Sequence, residues 1–265
     1  MTLQITAIAA FEDNYIWVIG REGRNDVAVV DPGDATPVLA WLKESGKALS
    51  DILVTHHHPD HTGGIRDLLT AFPEALVIGP DNDSIPALTK RVQDNEKITI
   101  LGCGFQVLAV PGHTLDHIAF FTDDVTNDSQ PIVFCGDTLF SSGCGRLREG
   151  TYAQLLHSLK RLAALPEKTR VYCTHEYTLS NLRFALHVEP DNIDYLERMR
   201  ECTILRSEGN PTLPSSIGVE LRTNPFLRCH SDSVSAIIQS QFGLLLASEL
   251  DIFTQLRQWK DIFRA

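Results

Sequence analysis

The chain has 265 residues, and none of its apolar runs is long enough to cross a bilayer. It also has no basic segment leading into a short apolar one at its start, because Glu12 and Asp13 interrupt "MTLQITAIAAFEDNYIWVIG" early. These absences argue against a transmembrane helix and a secretory signal. A cytoplasmic protein with no membrane partner is expected. There is no C-x-x-C pair: Cys103, Cys135, Cys144, Cys173, Cys202 and Cys229 are widely spread. Free thiols are expected rather than a disulfide framework. Basic residues are in deficit, with 23 Lys+Arg against 34 Asp+Glu for a net charge of −11. Nucleic acid needs a basic face, so it is disfavoured as a partner. An anionic substrate would need a local basic patch working against the overall field. No internal repeat or low-complexity tract is present, and a monomer is expected.

The first two-thirds follows one pattern, in which short β-rich runs end in polar or glycine-rich loops. "YIWVIG", "VAVVDPG", "DILVTHHH", "LVIGP", "ITILG", "FQVLAVPGH", "IAFFTDD", "PIVFCGDT" and "RVYCTHEY" read as strands. "DATPVLAWLKESG", "GIRDLLTAF" and "TYAQLLHSLKRLAAL" have near-helical apolar spacing. This is an α/β pattern with strands enough for two sheets. After Tyr177 the character changes. "LSNLRFALHVEP", "DNIDYLERMRECTILRSEG", "SVSAIIQS" and "ELDIFTQLRQWKDIF" read as helices broken by "GNPTLPSS" and "TNPF". The expected domains are 1–175, catalytic, and 176–265, helical and substrate-binding.

The stretch "VTHHHPDHTGG" follows an apolar strand and precedes a helix, a position where α/β proteins often place sites. In an extended segment, residues i and i+2 point the same way. His56 and His58 should therefore face one point and His57 the other side. Pro59 fixes a turn, after which Asp60 and His61 can face a second point. Four groups do not close two coordination shells. His113, Asp137 and His175 each stand just past an apolar run, and an aspartate can serve two cations through its two oxygens. The expected sets are His56, His58, His113 and Asp137 for one ion, and Asp60, His61, Asp137 and His175 for the other. His157, His187 and His230 are read as non-ligands. His57 and His117 are read as neighbours of the ligands. Cys135 and Cys144 do not fit the spacing. Imidazole and carboxylate donors suit zinc first, with iron or manganese as alternatives.

"THHHPDHTGG", "PGHT", "GDTLF" and "THEYT" together resemble the metallo-β-lactamase superfamily and its H-x-H-x-D-H motif. "FEDNYIWVI", "VDPGDATPVL", "GDTLFSSGCGRLREGT", "HEYTLSNLRFA" and "NPFLR" are similar to bacterial members of glyoxalase II, the hydroxyacylglutathione hydrolases. The resemblance covers essentially the whole chain. It implies an αββα sandwich followed by a small helical domain, with a binuclear metal centre. It further implies hydrolysis of S-D-lactoylglutathione to glutathione and D-lactate, the second step of methylglyoxal detoxification. The seven metal ligands carry over onto the positions named above, and the bridging role of Asp137 becomes firmer. The expected nucleophile is a hydroxide held between two metals, with Asp60 and Asp137 as the catalytic carboxylates. Glutathione contacts carry over onto Arg146, Tyr177, Arg257 and Lys260. Arg148 departs from the family pattern, where an aromatic residue is common.

Rival activities are also distinguishable. Many β-lactamases carry a cysteine where Asp137 stands, and neither they nor lactonases have reason to keep a basic C-terminal helix. A mononuclear-iron persulfide dioxygenase would not need His175. A nuclease is opposed by the net charge, and a non-catalytic metal module would need no open coordination positions.

Overall fold

The computed structural model describes residues 2–123, 130–243 and 248–264. In chain order the elements begin with β1 (Leu3–Ala10), β2 (Asn14–Arg21), β3 (Asp26–Val30), α1 (Ala35–Ser45), β4 (Ala48–Leu53), α2 (Pro59–Thr62) and α3 (Ile65–Ala71). Next come β5 (Leu76–Pro80), β6 (Lys90–Val92), β7 (Lys97–Ile100), β8 (Cys103–Ala109), β9 (Ile118–Thr122), β10 (Ile132–Gly136), β11 (Leu139–Phe140) and β12 (Gly143–Cys144). Then follow α4 (Tyr152–Ala163), β13 (Arg170–Cys173), α5 (Thr178–Val188), α6 (Ile193–Ser207), β14 (Ser215–Ser216), α7 (Ile217–Thr223), α8 (Asp232–Phe242) and α9 (Glu249–Ile262). The last residue of the run "IAFFTDD", Asp124, lies outside the described residues.

Two compact units interleave along the sequence. The first comprises Met1–Ala109, Asp116–Gly136 and Tyr172–His175, and the second Val110–Leu115, Asp137–Val171 and Glu176–Ala265. No described helix is long and apolar enough to cross a membrane.

In the first unit β1 to β6 form one sheet in sequence order. β1, β2 and β3 pair antiparallel, while β3 to β6 run parallel, with α1 crossing between β3 and β4. One face of this sheet packs on the helices: Ile16, Val18, Val27, Val29, Ile52 and Val77 join Val38 and Leu42 of α1 and Ile65 and Leu68 of α3. Strand alternation turns Trp17, Ile19, Val30 and Leu53, also buried, to the opposite face. There Trp17 meets Tyr172 edge-on at 4.9 Å and donates Nε1–H to the Cys173 carbonyl at 3.0 Å. Antiparallel β7 to β10 belong to the second sheet. Helix α1 starts where the sequence places its acidic cap, with Asp34 accepting from Thr36 N–H at 2.8 Å, and stops at Gly46 in the left-handed region.

The second unit is mostly helical. Thr151–Gln154 and Ser248–Asp251 form capping boxes at the starts of α4 and α9. Phe184 of α5 stacks on Phe226 at 6.1 Å and meets Trp259 of α9 edge-on at 5.5 Å. Buried Glu220 accepts from the Ser142 N–H at 2.7 Å, and burial raises its pKa above the usual carboxylate value. Asn224 donates to the Phe140 and Gly143 carbonyls at 3.2 and 2.8 Å, and Asn181 donates to the Ser141 carbonyl at 3.0 Å. These bonds satisfy the backbone of the loop that ends in Arg146.

Two glycines let the first unit's loops touch backbone to backbone. A β-carbon on Gly33 would lie 1.9 Å from the Asp60 carbonyl oxygen, and one on Gly64 would lie 2.5 Å from Ala35 N and 2.7 Å from Pro32 O. Gly64 N–H also donates to Pro32 O at 2.9 Å. Gly64→Ala should therefore force the histidine loop away from the start of α1. The expected cost is about 1–3 kcal/mol of stability, as for overpacked cores, measured by urea unfolding; unchanged stability would contradict the close approach.

Candidate metal centre

β4 delivers the histidine loop. Val54 N–H donates to Ile78 O at 2.8 Å, and the chain then leaves the sheet. Asp31, at the end of β3, accepts from Thr55 N–H and from Thr55 Oγ1, both at 2.7 Å. His56 Nε2 and His58 Nδ1 face each other at 3.0 Å, as i, i+2 alternation predicts. His57 points elsewhere, its Nδ1 3.0 Å from Asp116 Oδ1, while Asn82 donates to the other oxygen of Asp116 at 2.9 Å. His117 stacks on His56 with ring centroids 4.5 Å apart, which suits a packing neighbour.

Pro59 at the first position of α2 turns the chain so that Asp60 and His61 meet His175. These three present donor atoms that all lie within 4.8 Å of one another. Asp60 Oδ2 stands 3.5 Å from His61 Nε2 and 3.5 Å from His175 Nε2. On the far side of each ring is a carboxylate: Asp31 Oδ2 lies 3.1 Å from His61 Nδ1, and Asp13 Oδ1 lies 2.8 Å from His175 Nδ1. The Asp13 hydrogen bond at His175 Nδ1 favours the tautomer whose Nε2 lone pair is available to a metal, while at His61 the Asp31 carboxylate is a close approach without hydrogen-bond geometry. Both imidazoles are buried. One half-exposed carboxylate and two buried imidazoles make a fitting donor set for a divalent transition metal.

Sequence reasoning missed Asp13 and Asp31. Asp31 had a legible signal, since it ends an apolar strand just as Asp137 does. Asp13 had none, because its role arises only when β2 pairs across to the His175 segment.

In the second unit, His113 Nε2 lies 3.5 Å from Asp137 Oδ2, so these two expected ligands are also brought together. His113 Nδ1 lies 2.8 Å from the Arg146 carbonyl, which orients the ring as a backbone acceptor does. Arg146 thus connects a metal-type ligand to the basic residues. Its exposed guanidinium lies 3.7 Å from Asp261. Arg257 is buried, donating to the Cys144 carbonyl and to Asp261, both at 2.9 Å, with its charge 5.0 Å over the Phe226 ring. Lys260 donates to the Ser180 carbonyl at 3.1 Å, above the Phe184 ring. Burial, and then the charges of Arg257, Arg183 and Arg146, lower its pKa to about 8. Tyr177 caps α5 and meets Phe140 edge-on at 5.3 Å. Arg148 is exposed, and its N–H donates to the His113 carbonyl at 3.1 Å. Buried Cys144 has a pKa raised to about 11, chiefly by burial, so it stays a thiol beside Arg257. His187 packs on Trp259 and Phe263, as expected of a non-ligand.

Residues 10–175 match the model of the metallo-β-lactamase superfamily, and residues 176–263 match that of the hydroxyacylglutathione hydrolase C-terminus. A hydroxyacylglutathione hydrolase of Pseudomonas aeruginosa PAO1 is 53% identical over 98% of this chain and 100% of its own length. The chain belongs to the hydroxyacylglutathione hydrolase family. Among solved structures, ETHE1 from Myxococcus xanthus is similar with a TM-score of 0.64 and 25% identity, covering 98% of both chains. TTHA1623, solved in a di-iron-bound form, is similar with a TM-score of 0.60 and 25% identity over 84% of this chain and 100% of its own. The expected metallo-β-lactamase fold with a C-terminal helical region is borne out. So is the family's His/Asp metal-binding character.

Asp31→Asn would set an amide N–H₂ against donors that now meet carboxylate oxygens. Loss of such an orienting partner typically weakens metal affinity by about 10–100-fold. Chelator competition on the purified variant checks this, and wild-type affinity would exclude an orienting role for Asp31.

Proposed function

We propose that this chain hydrolyses the thioester of S-(2-hydroxyacyl)glutathiones. With S-D-lactoylglutathione it yields glutathione and D-lactate, the second step of methylglyoxal removal. The observation that carries this reading is the cation group of Arg146, Arg183, Arg257 and Lys260 in a protein of net charge −11. Three of the four belong to the segment matching the hydroxyacylglutathione hydrolase C-terminus. A glutathione thioester carries carboxylates, and such a cluster draws them in against the overall field.

The proposal assigns His56, His58, His113 and Asp137 to one divalent ion and Asp60, His61, Asp137 and His175 to a second. Zinc is the first choice, with iron or manganese as alternatives. When bound, such ions would supply a water that ionises near pH 7 rather than about 15.7 and would polarise a thioester carbonyl. Asp137, with two carboxylate oxygens, would contribute to both ligand sets, and Asp60 would act as a hydrogen-bond acceptor that orients the water. The leaving group is a thiolate whose conjugate acid has a pKa of about 8.5, so no separate general acid is required. In this reading residues 1–175 carry the chemistry and 176–265 supply most of the glutathione contacts, with Arg146 added from the first segment. Lys260 and Arg146 meet carboxylates, Arg257 adds its charge behind Lys260, and Tyr177 offers its hydroxyl. A charged hydrogen bond contributes about 1.5–3 kcal/mol, and less at the exposed Arg146. The enzyme acts as a cytoplasmic monomer.

The metal-loaded protein should hydrolyse S-D-lactoylglutathione and leave a β-lactam intact; the reverse preference would contradict the reading. Lys260→Ala should raise KM far more than it lowers kcat. Lys260 is cationic below about 8 and loses its proton as pH rises through that value. Wild-type kcat/KM should therefore fall across that range, since it reports groups of the free enzyme. Lys260→Arg, which stays charged, should lack that fall.

A further inference from the structure

We propose that Asp13 and Asn14 are positioning residues for the Asp60–His61–His175 group. They would set its affinity for one metal ion independently of the other ligands. The inference rests on the reading that this group holds metal.

The tight turn after β1 places the pair. Phe11 takes a left-handed conformation with φ 51°, and Asn14 opens β2 opposite Ala10. The start of β2 then pairs with the chain just past β13. Asn14 bridges to His175, and Tyr15 N–H donates to the Thr174 carbonyl at 2.7 Å. Backbone bonds thus fix the height of the dipeptide beside His175 before any side chain acts.

Two successive side chains then reach two different ligands. Asp13 Oδ1 lies 2.8 Å from His175 Nδ1, placed to accept that ring N–H and leave Nε2 facing Asp60. Asn14 Nδ2 donates to Asp60 Oδ2 at 3.3 Å and to the Asp60 carbonyl at 3.4 Å. Asp60 Oδ2 is the same oxygen that stands 3.5 Å from both imidazole Nε2 atoms. Asp13 therefore fixes the tautomer and tilt of one ligand, and Asn14 fixes the carboxylate rotamer of another. Asn14 is buried, so its amide hydrogen bonds weigh heavily. The Asp13 side chain is 38% exposed, so it can be exchanged with little disturbance to packing.

The dipeptide acts on the second proposed ion alone. The His56 ring meets other groups, with Thr55 Oγ1 3.1 Å from its Nδ1 and His58 Nδ1 3.0 Å from its Nε2, and Thr62 Oγ1 holds the backbone at the His58 carbonyl at 3.0 Å.

The test is zinc binding by chelator competition on wild type, Asp13→Asn, Asp13→Glu, Asn14→Ala and His175→Ala, with thermal melting to confirm folding. Asp13→Asn should weaken one of two bound zinc ions by about 10–100-fold and leave the other unchanged, and Asp13→Glu should restore part of the loss. Asn14→Ala should weaken the same ion. If His175→Ala releases one ion while Asp13→Asn binds both with wild-type affinity, the positioning role is overturned and the metal reading stands. If His175→Ala leaves zinc binding unchanged, both fail. Asp13→Asn, at a half-exposed turn, keeps the test decisive if Asn14→Ala does not fold.

Discussion

The carboxylate of Asp31 ties three strand ends together. It accepts from Thr55 past the end of β4 and from Thr174 Oγ1 past the end of β13 at 3.4 Å, and it faces the His61 ring at 3.1 Å. A buried charge is costly unless surrounded by donors. Here the donors are the very segments that carry His56, His61 and His175, so satisfying the carboxylate also places the metal ligands. The left-handed φ of 53° at Asp31 lets the chain turn sharply from β3 into this position. Gly33 and Gly64 then allow the two loops to close at backbone distance. The donor geometry follows from that packing, not from the histidine loop alone.

Charge is organised on two scales. The whole chain is acidic, while one region of the helical unit gathers cations around Lys260, whose pKa is lowered first by burial and then by these like charges. Both causes disfavour the lone ammonium, and an anionic ligand beside it would offset them. Arg257 shows the cost of building such a patch: it is buried, and its guanidinium is held by a carbonyl, a carboxylate and an aromatic face.

Much of this was legible in the sequence, for identifiable reasons. Runs such as "VAVVDPG" and "DILV" are strongly β-branched and sit centrally in a sheet, where burial on both faces enforces the pattern. β1, "LQITAIAA", is an alanine-rich edge strand with only three of its eight residues buried, and the strand reading does not include it. Strand alternation separated His57 from His56 and His58 because the segment is extended there. Asp13 and Asn14 were invisible because their partners are about 160 and 46 residues away, distances only tertiary pairing can bridge. The burial of Arg257 was equally hidden, since a cation on a helix gives no sign of which face packs inward.

The central claim is that the oriented donors serve two ions that together support thioester hydrolysis. Titration of the metal-stripped protein with zinc, followed by S-D-lactoylglutathione hydrolysis at each step, tests it most directly. The account predicts saturation at two ions per chain, with full activity only at the second. Saturation at a single ion, or turnover that needs one iron and consumes oxygen, would contradict it.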